Sequence, residues 1–195
     1  MRAGRPLSAV VLAGGRSSRF GRDKLAEPID GRPLLDRAIE GVQRLAADVI
    51  VVAAPDSGPV VPDGVRVVHD PVGFEGPLAG LVTGLDAART EVVLVVGGDM
   101  PTLVAAVLES MAAALDDPSI AVVVLAHDGR PRPLPMVVRR DPVLEAAHAS
   151  LGGGDRRLRA LIETLQTRVV PEDVWRHLDP DGATLRDIDT PADLP

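Results

Sequence analysis

The chain has no cysteine and no tyrosine, one tryptophan and two phenylalanines in 195 residues. Without cysteine there can be no disulfide, thiolate metal site or cysteine nucleophile. With aromatics at 2%, the core must be built from Val, Leu, Ile and Ala, and a stacking platform for single-stranded nucleic acid is disfavoured. Positive charge is in deficit. Lys and Arg number 21 against 28 Asp and Glu, a net charge of −7, so neither nucleic acid nor an anionic membrane is expected as a partner. No apolar run approaches the roughly 18 residues needed to span a bilayer. The N-terminal run in MRAGRPLSAVVLAGG is short and ends in Gly-Gly-Arg rather than a small-residue cleavage site. It reads as a first buried strand and not as a signal peptide, and the expected location is cytoplasmic.

What is present is a strand–helix alternation. All-apolar or Val-rich runs at Ser8–Ala13, Val49–Ala53, Val65–Val68, Val92–Val96 and Ile120–Ala126 suit strands covered on both faces. Helical spacing is found over Pro33–Ala46, Leu78–Ala88, Leu103–Leu115, Pro142–Ala149 and Asp155–Leu165, with Leu134–Val138 and Val169–Val170 as further short strands. This predicts an α/β fold of three layers, a mostly parallel sheet with helices on both faces, in one domain over residues 1–195. Ligands of such sheets bind beyond the carboxyl ends of the strands. That rule selects Gly14 onward, Ala53–Ala54, His69–Asp70 and Gly97–Asp99.

The loop after the first strand, in VVLAGGRSSRFGRDK, concentrates Arg16, Arg19, Arg22 and Lys24 behind Gly14 and Gly15. Glycines let a phosphate or base approach the backbone, and the cations can neutralise a polyphosphate. A bare Gly-Gly turn followed by a solvated loop would read otherwise, but four cations in one loop of an acidic chain favour an anion site. The loop is neither a P-loop, which needs Gly-Lys-Ser/Thr, nor the Gly-x-Gly-x-x-Gly dinucleotide fingerprint.

This loop resembles the first loop of the nucleotidyltransferases that activate sugars and cofactors, and within them that of the molybdenum cofactor guanylyltransferase family. The resemblance extends to HDP (69–71), GPLAGL (76–81), VVGGDMP (95–101), RPRPLPMVV (130–138) and DIDTPADL (187–194), and so covers nearly the whole chain. It implies a Rossmann-like, nucleotide-diphospho-sugar transferase type of fold and transfer of GMP from GTP to the terminal phosphate of molybdopterin, releasing pyrophosphate. It implies Mg²⁺ as cofactor. Partners would be GTP, molybdopterin, and molybdoenzyme-specific chaperones or other cofactor-biosynthesis proteins.

On this resemblance Leu12, Ala13, Gly14, Gly15, Lys24, Asp70 and Asp99 are the nucleotide-binding residues. Lys24, Asp99 and Arg19 are catalytic, with Lys24 expected on an exposed loop, and Asp99 is the metal ligand. Asp99 also reads as the N-cap of the helix near Pro101, and Asp70 as a turn former before Pro71. Many relatives carry Asn near Ala53, and Asn where this chain has Asp187 and Asp189. Rival readings are a cytidylyltransferase on the same pterin, a sugar- or cofactor-phosphate nucleotidyltransferase, and a non-catalytic nucleotide-binding adaptor. The four histidines are scattered and form no His-Glu-x-x-His or triad pattern.

Overall fold

A computed structural model of the chain describes residues 6–14, 24–71 and 76–193. The elements, in chain order, begin with β1 (Leu7–Ala13), a 3₁₀ turn at Lys24–Ala26, β2 (Pro28–Ile29), β3 (Arg32–Pro33), α1 (Leu34–Gln43), β4 (Asp48–Ala53) and β5 (Arg66–His69). They continue with α2 (Pro77–Ala87), β6 (Val92–Gly97), α3 (Ala105–Ala114), β7 (Val122–His127) and β8 (Arg130–Arg139). The last are α4 (Arg140–Gly152), α5 (Arg159–Thr164), β9 (Thr167–Val170) and α6 (Glu172–Trp175). Seven strands form one sheet in the order β5-β4-β1-β6-β8-β7-β9, and only β8 runs against the others.

The continuous apolar runs are explained by burial on both faces. Ala9, Val11, Val51, Leu94 and Val123 face a core closed by α1, α3 and Trp175 of α6. Val10, Ile50, Val52, Val95 and Val124 face a second core closed by α2, α4 and α5. Because side chains alternate along a strand, every second residue serves a different core, and none can be polar without cost. With so few aromatics, each core is a fit of branched aliphatics. Trp175 is the exception, buried with its Nε1 donating to the Ala126 carbonyl at 2.8 Å.

Two hairpins were not anticipated, and both turn on Asp-Gly. Asp30 and Gly31 have φ of 49° and 77°, joining β2 to β3, and Asp128 and Gly129 have φ of 50° and 70°, joining β7 to β8. Positive φ at both central residues matches the right-handed twist of the flanking strands. The second hairpin makes β8 antiparallel and extends it well before the expected Leu134 start. Pro131, Pro133 and Pro135 argue against a central strand because proline donates nothing to the ladder. The conflict is resolved by an irregularity. Val124 pairs with Met136 while its neighbour Leu125 pairs with Arg132, so Pro133, Leu134 and Pro135 leave the ladder together.

Two helices are shorter than their apolar spacing suggests. The segment from Asp155 becomes helical only at Arg159, because the Asp155 carboxylate accepts from the Arg157 N–H at 2.9 Å in a local turn. The helix expected from Leu103 begins at Ala105. Thr102 Oγ1 donates to the Ala183 carbonyl at 2.6 Å, and the Val104 N–H donates to Thr184 Oγ1 at 3.2 Å, binding that segment to the chain's closing stretch.

Gly84 sets how closely α2 lies on the sheet. A Cβ there would stand 2.5 Å from Val10 Cγ1 and 3.1 Å from Val52 Cγ2. Both partners are fully or almost fully buried. Gly84→Ala is expected to lower stability by about 1–3 kcal/mol through overpacking, although alanine is the better helix former. Urea denaturation checks this. A midpoint at or above that of the parent protein would show that α2 can lift from the sheet at no cost.

Candidate active site

The carboxyl ends of β1, β4 and β6 lie side by side in the sheet. Over them opens a cavity of about 320 Å³, a volume suited to a small ligand. β1 and the residue after it contribute Leu12 and Gly14. Val52 and Asp70 come from the ends of β4 and β5, and Gly76, Pro77 and Gly80 from the start of α2. Gly97 and Asp99 enter from the end of β6, and Leu134 from the irregular stretch of β8.

Asp99 reaches this position through the two glycines before it. A Cβ on Gly97 would collide with Asp99 Oδ1. A Cβ on Gly98 would crowd the Leu12 carbonyl at 3.2 Å, which accepts the Gly98 N–H at 2.9 Å. Gly14 differs. Among the described residues its added Cβ would meet atoms only at ordinary distances of 3.8 Å or more. The described fold thus does not demand glycine there, whereas a ligand lying on the backbone would.

Lys24 is brought to Asp99 across 75 residues of sequence: Nζ donates to Asp99 Oδ2 at 2.7 Å. The same ammonium donates to the Ile188 carbonyl at 3.1 Å and to Asp189 Oδ1 at 3.4 Å. Its side chain is only 14% exposed, so the expectation of an exposed loop residue is corrected. Burial disfavours the ammonium, but the hydrogen bond and charge of Asp99, with Asp189 adding to them, outweigh it and raise the Lys24 pKa above the ordinary value.

The closing stretch lies directly against this pair. The Ile188 N–H donates to the Asp99 carbonyl at 3.0 Å, and the Ile188 side chain is buried with Ile29 and Leu34. Asp187 is held above the usual carboxylate range, first by burial and then by the negative charges of Asp189 and Asp99. Arg132 of β8 stands 3.8 Å from it.

Of the expected site residues, Leu12, Gly14, Asp70 and Asp99 share the cavity and Lys24 binds Asp99. Asp70 is buried and lines the cavity rather than serving merely as a turn former. Asp99 is not a helix cap: the N-cap of α3 is Val104, and that end has no side-chain cap. Ala13 has its side chain in the core on the opposite face, so only its backbone could take part. On β4 it is Val52, not Ala53, that lines the cavity. Gly15, Arg16, Arg19 and Arg22 lie outside the described residues.

Sequence reasoning did not single out Val52 or Leu134 as lining residues, since apolar residues in apolar runs carry no chemical signal. The Ile188 carbonyl is a backbone group and equally silent. His127, Asp128 and Glu172 also lie close together. Glu172 is engaged there structurally, accepting from the Asp128 N–H at 2.9 Å and from Arg176 Nε at 2.8 Å.

The chain is an α/β protein with a cavity at the carboxyl edge of its parallel strands and a half-buried lysine paired with a carboxylate beside it. The MobA-like NTP transferase domain matches residues 9–169, and the chain belongs to that family. It is 32% identical to a protein named "Probable molybdenum cofactor guanylyltransferase" from Chloroflexus aggregans, over 96% of this chain and 91% of that one. It is 38% identical to a molybdenum cofactor guanylyltransferase from Xanthomonas euvesicatoria, over 83% and 81% of the two chains. In fold it resembles the crystal structure of molybdopterin-guanine dinucleotide biosynthesis protein A from Archaeoglobus fulgidus. The TM-score is 0.80 at 20% identity, covering 96% of this chain and 94% of that one. No helix among the described residues is long and apolar enough to cross a membrane.

Lys24 ties the closing stretch to the sheet, so its removal has a local signature. Lys24→Ala is expected to speed hydrogen exchange across residues 187–190 about tenfold, equivalent to about 1.4 kcal/mol of local stability. Protection in β1 and β6 should be unchanged. Exchange mass spectrometry reads both regions at once, and equal protection of 187–190 in the two proteins would remove the tether.

Proposed function

We propose that the chain is a molybdenum cofactor guanylyltransferase, one domain over residues 1–195, joining the GMP of GTP to the terminal phosphate of molybdopterin. The observation that carries this reading is the meeting of Lys24 and Asp99 beside a cavity walled by Leu12, Gly14 and Asp70. The names of the relatives and the matching order of motifs support the choice of substrates.

In the reaction a terminal phosphate oxygen of the pterin attacks the α-phosphorus of GTP. A new P–O bond forms, and the bond to the bridging oxygen of pyrophosphate breaks. Both reactants are anions, so the site must offset repulsion and stabilise the leaving group. Lys24 supplies a fixed positive charge for the triphosphate, with Arg19 as a helper. The backbone at Leu12, Ala13, Gly14 and Gly15 meets the nucleotide, and the small residues Gly76 and Gly80 leave room at the start of α2. Asp70 contacts the nucleotide from the end of β5. No covalent enzyme intermediate is needed.

The donor set fits a divalent cation. Asp99 offers a carboxylate at the cavity, and Asp189 stands with it around the same ammonium, the two oxygens 2.7 and 3.4 Å from Lys24 Nζ. A hard ion such as Mg²⁺ takes one or two carboxylates together with substrate phosphates. Bound on Asp99, it would screen the phosphates and offset charge building on pyrophosphate. The protein would work in the cytoplasm, with molybdoenzyme-specific chaperones or other cofactor-biosynthesis proteins as partners.

Two measurements test the reading. Calorimetric titration is expected to show GTP binding at least about tenfold more tightly than CTP, because polar groups matched to one base are left unpaired by another. Tighter CTP binding would make the chain a cytidylyltransferase. Asp99→Asn keeps an acceptor for Lys24 and removes the charge a hard cation needs. Pyrophosphate release should fall by about 10²–10³, with the melting temperature within a few degrees of the parent, since a partly exposed ion pair contributes little to stability. Undiminished release would take Asp99 out of the chemistry.

A further inference from the structure

We propose that in the nucleotide-free protein the Lys24 ammonium itself occupies the cation position between Asp99 and Asp189, so that a divalent ion gains these carboxylates only once a triphosphate has drawn Lys24 away. The inference rests on the reading of this cavity as a triphosphate site and adds to it an order of events.

The geometry is that of an ammonium bound in an oxygen cradle. Nζ lies 2.7 Å from Asp99 Oδ2, 3.1 Å from the Ile188 carbonyl and 3.4 Å from Asp189 Oδ1. These oxygens come from the end of β6 and from the closing stretch, and they are hard donors of the kind that also serve Mg²⁺. The side chains of Lys24 and Asp99 are only 14% and 26% exposed, so water screens the pair weakly. An ammonium and a divalent ion on the same carboxylate in such a place repel strongly. One of them has to leave.

Lys24 is built to be the one that moves. Its charge sits at the end of a flexible four-carbon stem, and the cavity beside it would hold an anion with more negative charge than Asp99. Lys24 thus has two anionic stations: the carboxylates when the cavity lacks nucleotide, and the phosphates when it is filled. The Ile188 N–H bond to the Asp99 carbonyl does not involve the ammonium, so the closing stretch keeps one tie to β6 when Lys24 swings.

The test uses Mn²⁺ alone, titrated into nucleotide-free protein and read by electron paramagnetic resonance. The parent protein should bind it weakly. Lys24→Met, which keeps the apolar stem, and Lys24→Gln, which keeps a donor for the cradle, should each bind it about tenfold more tightly, a difference of about 1.4 kcal/mol. Circular dichroism establishes that each variant is folded, and the glutamine variant serves if the methionine variant is not. Adding Asp99→Asn to Lys24→Gln should abolish the gain. Equal or weaker Mn²⁺ binding in the folded Lys24 variants would overturn the proposal, as would a gain that survives Asp99→Asn. Neither GTP nor pterin is present. A protein that fails to transfer GMP can therefore still show the gain, and one that transfers GMP can fail to show it.

Discussion

The contact between Lys24 and Asp99 is where three distant parts of the chain meet. Lys24 follows the Gly- and Arg-rich loop, Asp99 stands just beyond the end of β6, and Ile188 and Asp189 belong to the closing stretch. Both groups are partly withdrawn from water, and each is the other's nearest opposite charge, at 2.7 Å. The arrangement depends on Gly97 and Gly98, which let β6 end so close to β1 that the Leu12 carbonyl takes the Gly98 N–H. A side chain at Gly97 would push the Asp99 carboxylate aside, and one at Gly98 would crowd the Leu12 carbonyl that takes its N–H.

The two-sided sheet fixes the Asp99 side of this contact. β1 and β6 are central strands, paired on both edges and covered on both faces. The residues that carry chemistry stand where the regular structure stops, and their backbone is held by strands with little freedom to move. Building on rigid elements holds the Asp99 backbone in place while the Lys24 charge rides on a flexible stem.

Much of this was legible in the sequence, for identifiable reasons. The parallel strands announce themselves as unbroken apolar runs, because both of their faces are buried. Asp70, Asp99 and Lys24 could be found because they are charged residues at strand ends or behind glycines. The burial of Lys24 could not be found, since it depends on Ile188 and Asp189, more than 160 residues away. The second half of β8 was legible as Leu134–Val138, but its start at Arg130 and its antiparallel direction were hidden by its prolines, which speak against a strand unless the ladder is known to break at Pro133–Pro135. The Asp-Gly pairs at Asp30 and Asp128 did carry a hairpin signal, but β2 and β3 are only two residues each. The length of β8 obscured the other.

The break in β8 also acts as a ruler. Leu134 reaches the cavity from a strand locked between β6 and β7, whereas Gly14, Asp70 and Gly76 reach it from connecting segments. Connecting segments tolerate insertions and deletions. A one-residue change in β8 ahead of Met136 would either be absorbed within Pro133–Pro135 or slip the strand, exchanging the faces of Met136, Val137 and Val138 between the two cores. The pairing of Met136 with Val95 and Val124 marks where the irregular stretch carrying Leu134 rejoins the ladder. Any change of length on this side of the cavity has to be confined to Pro133–Pro135, whereas the connecting segments on the other sides carry no such limit.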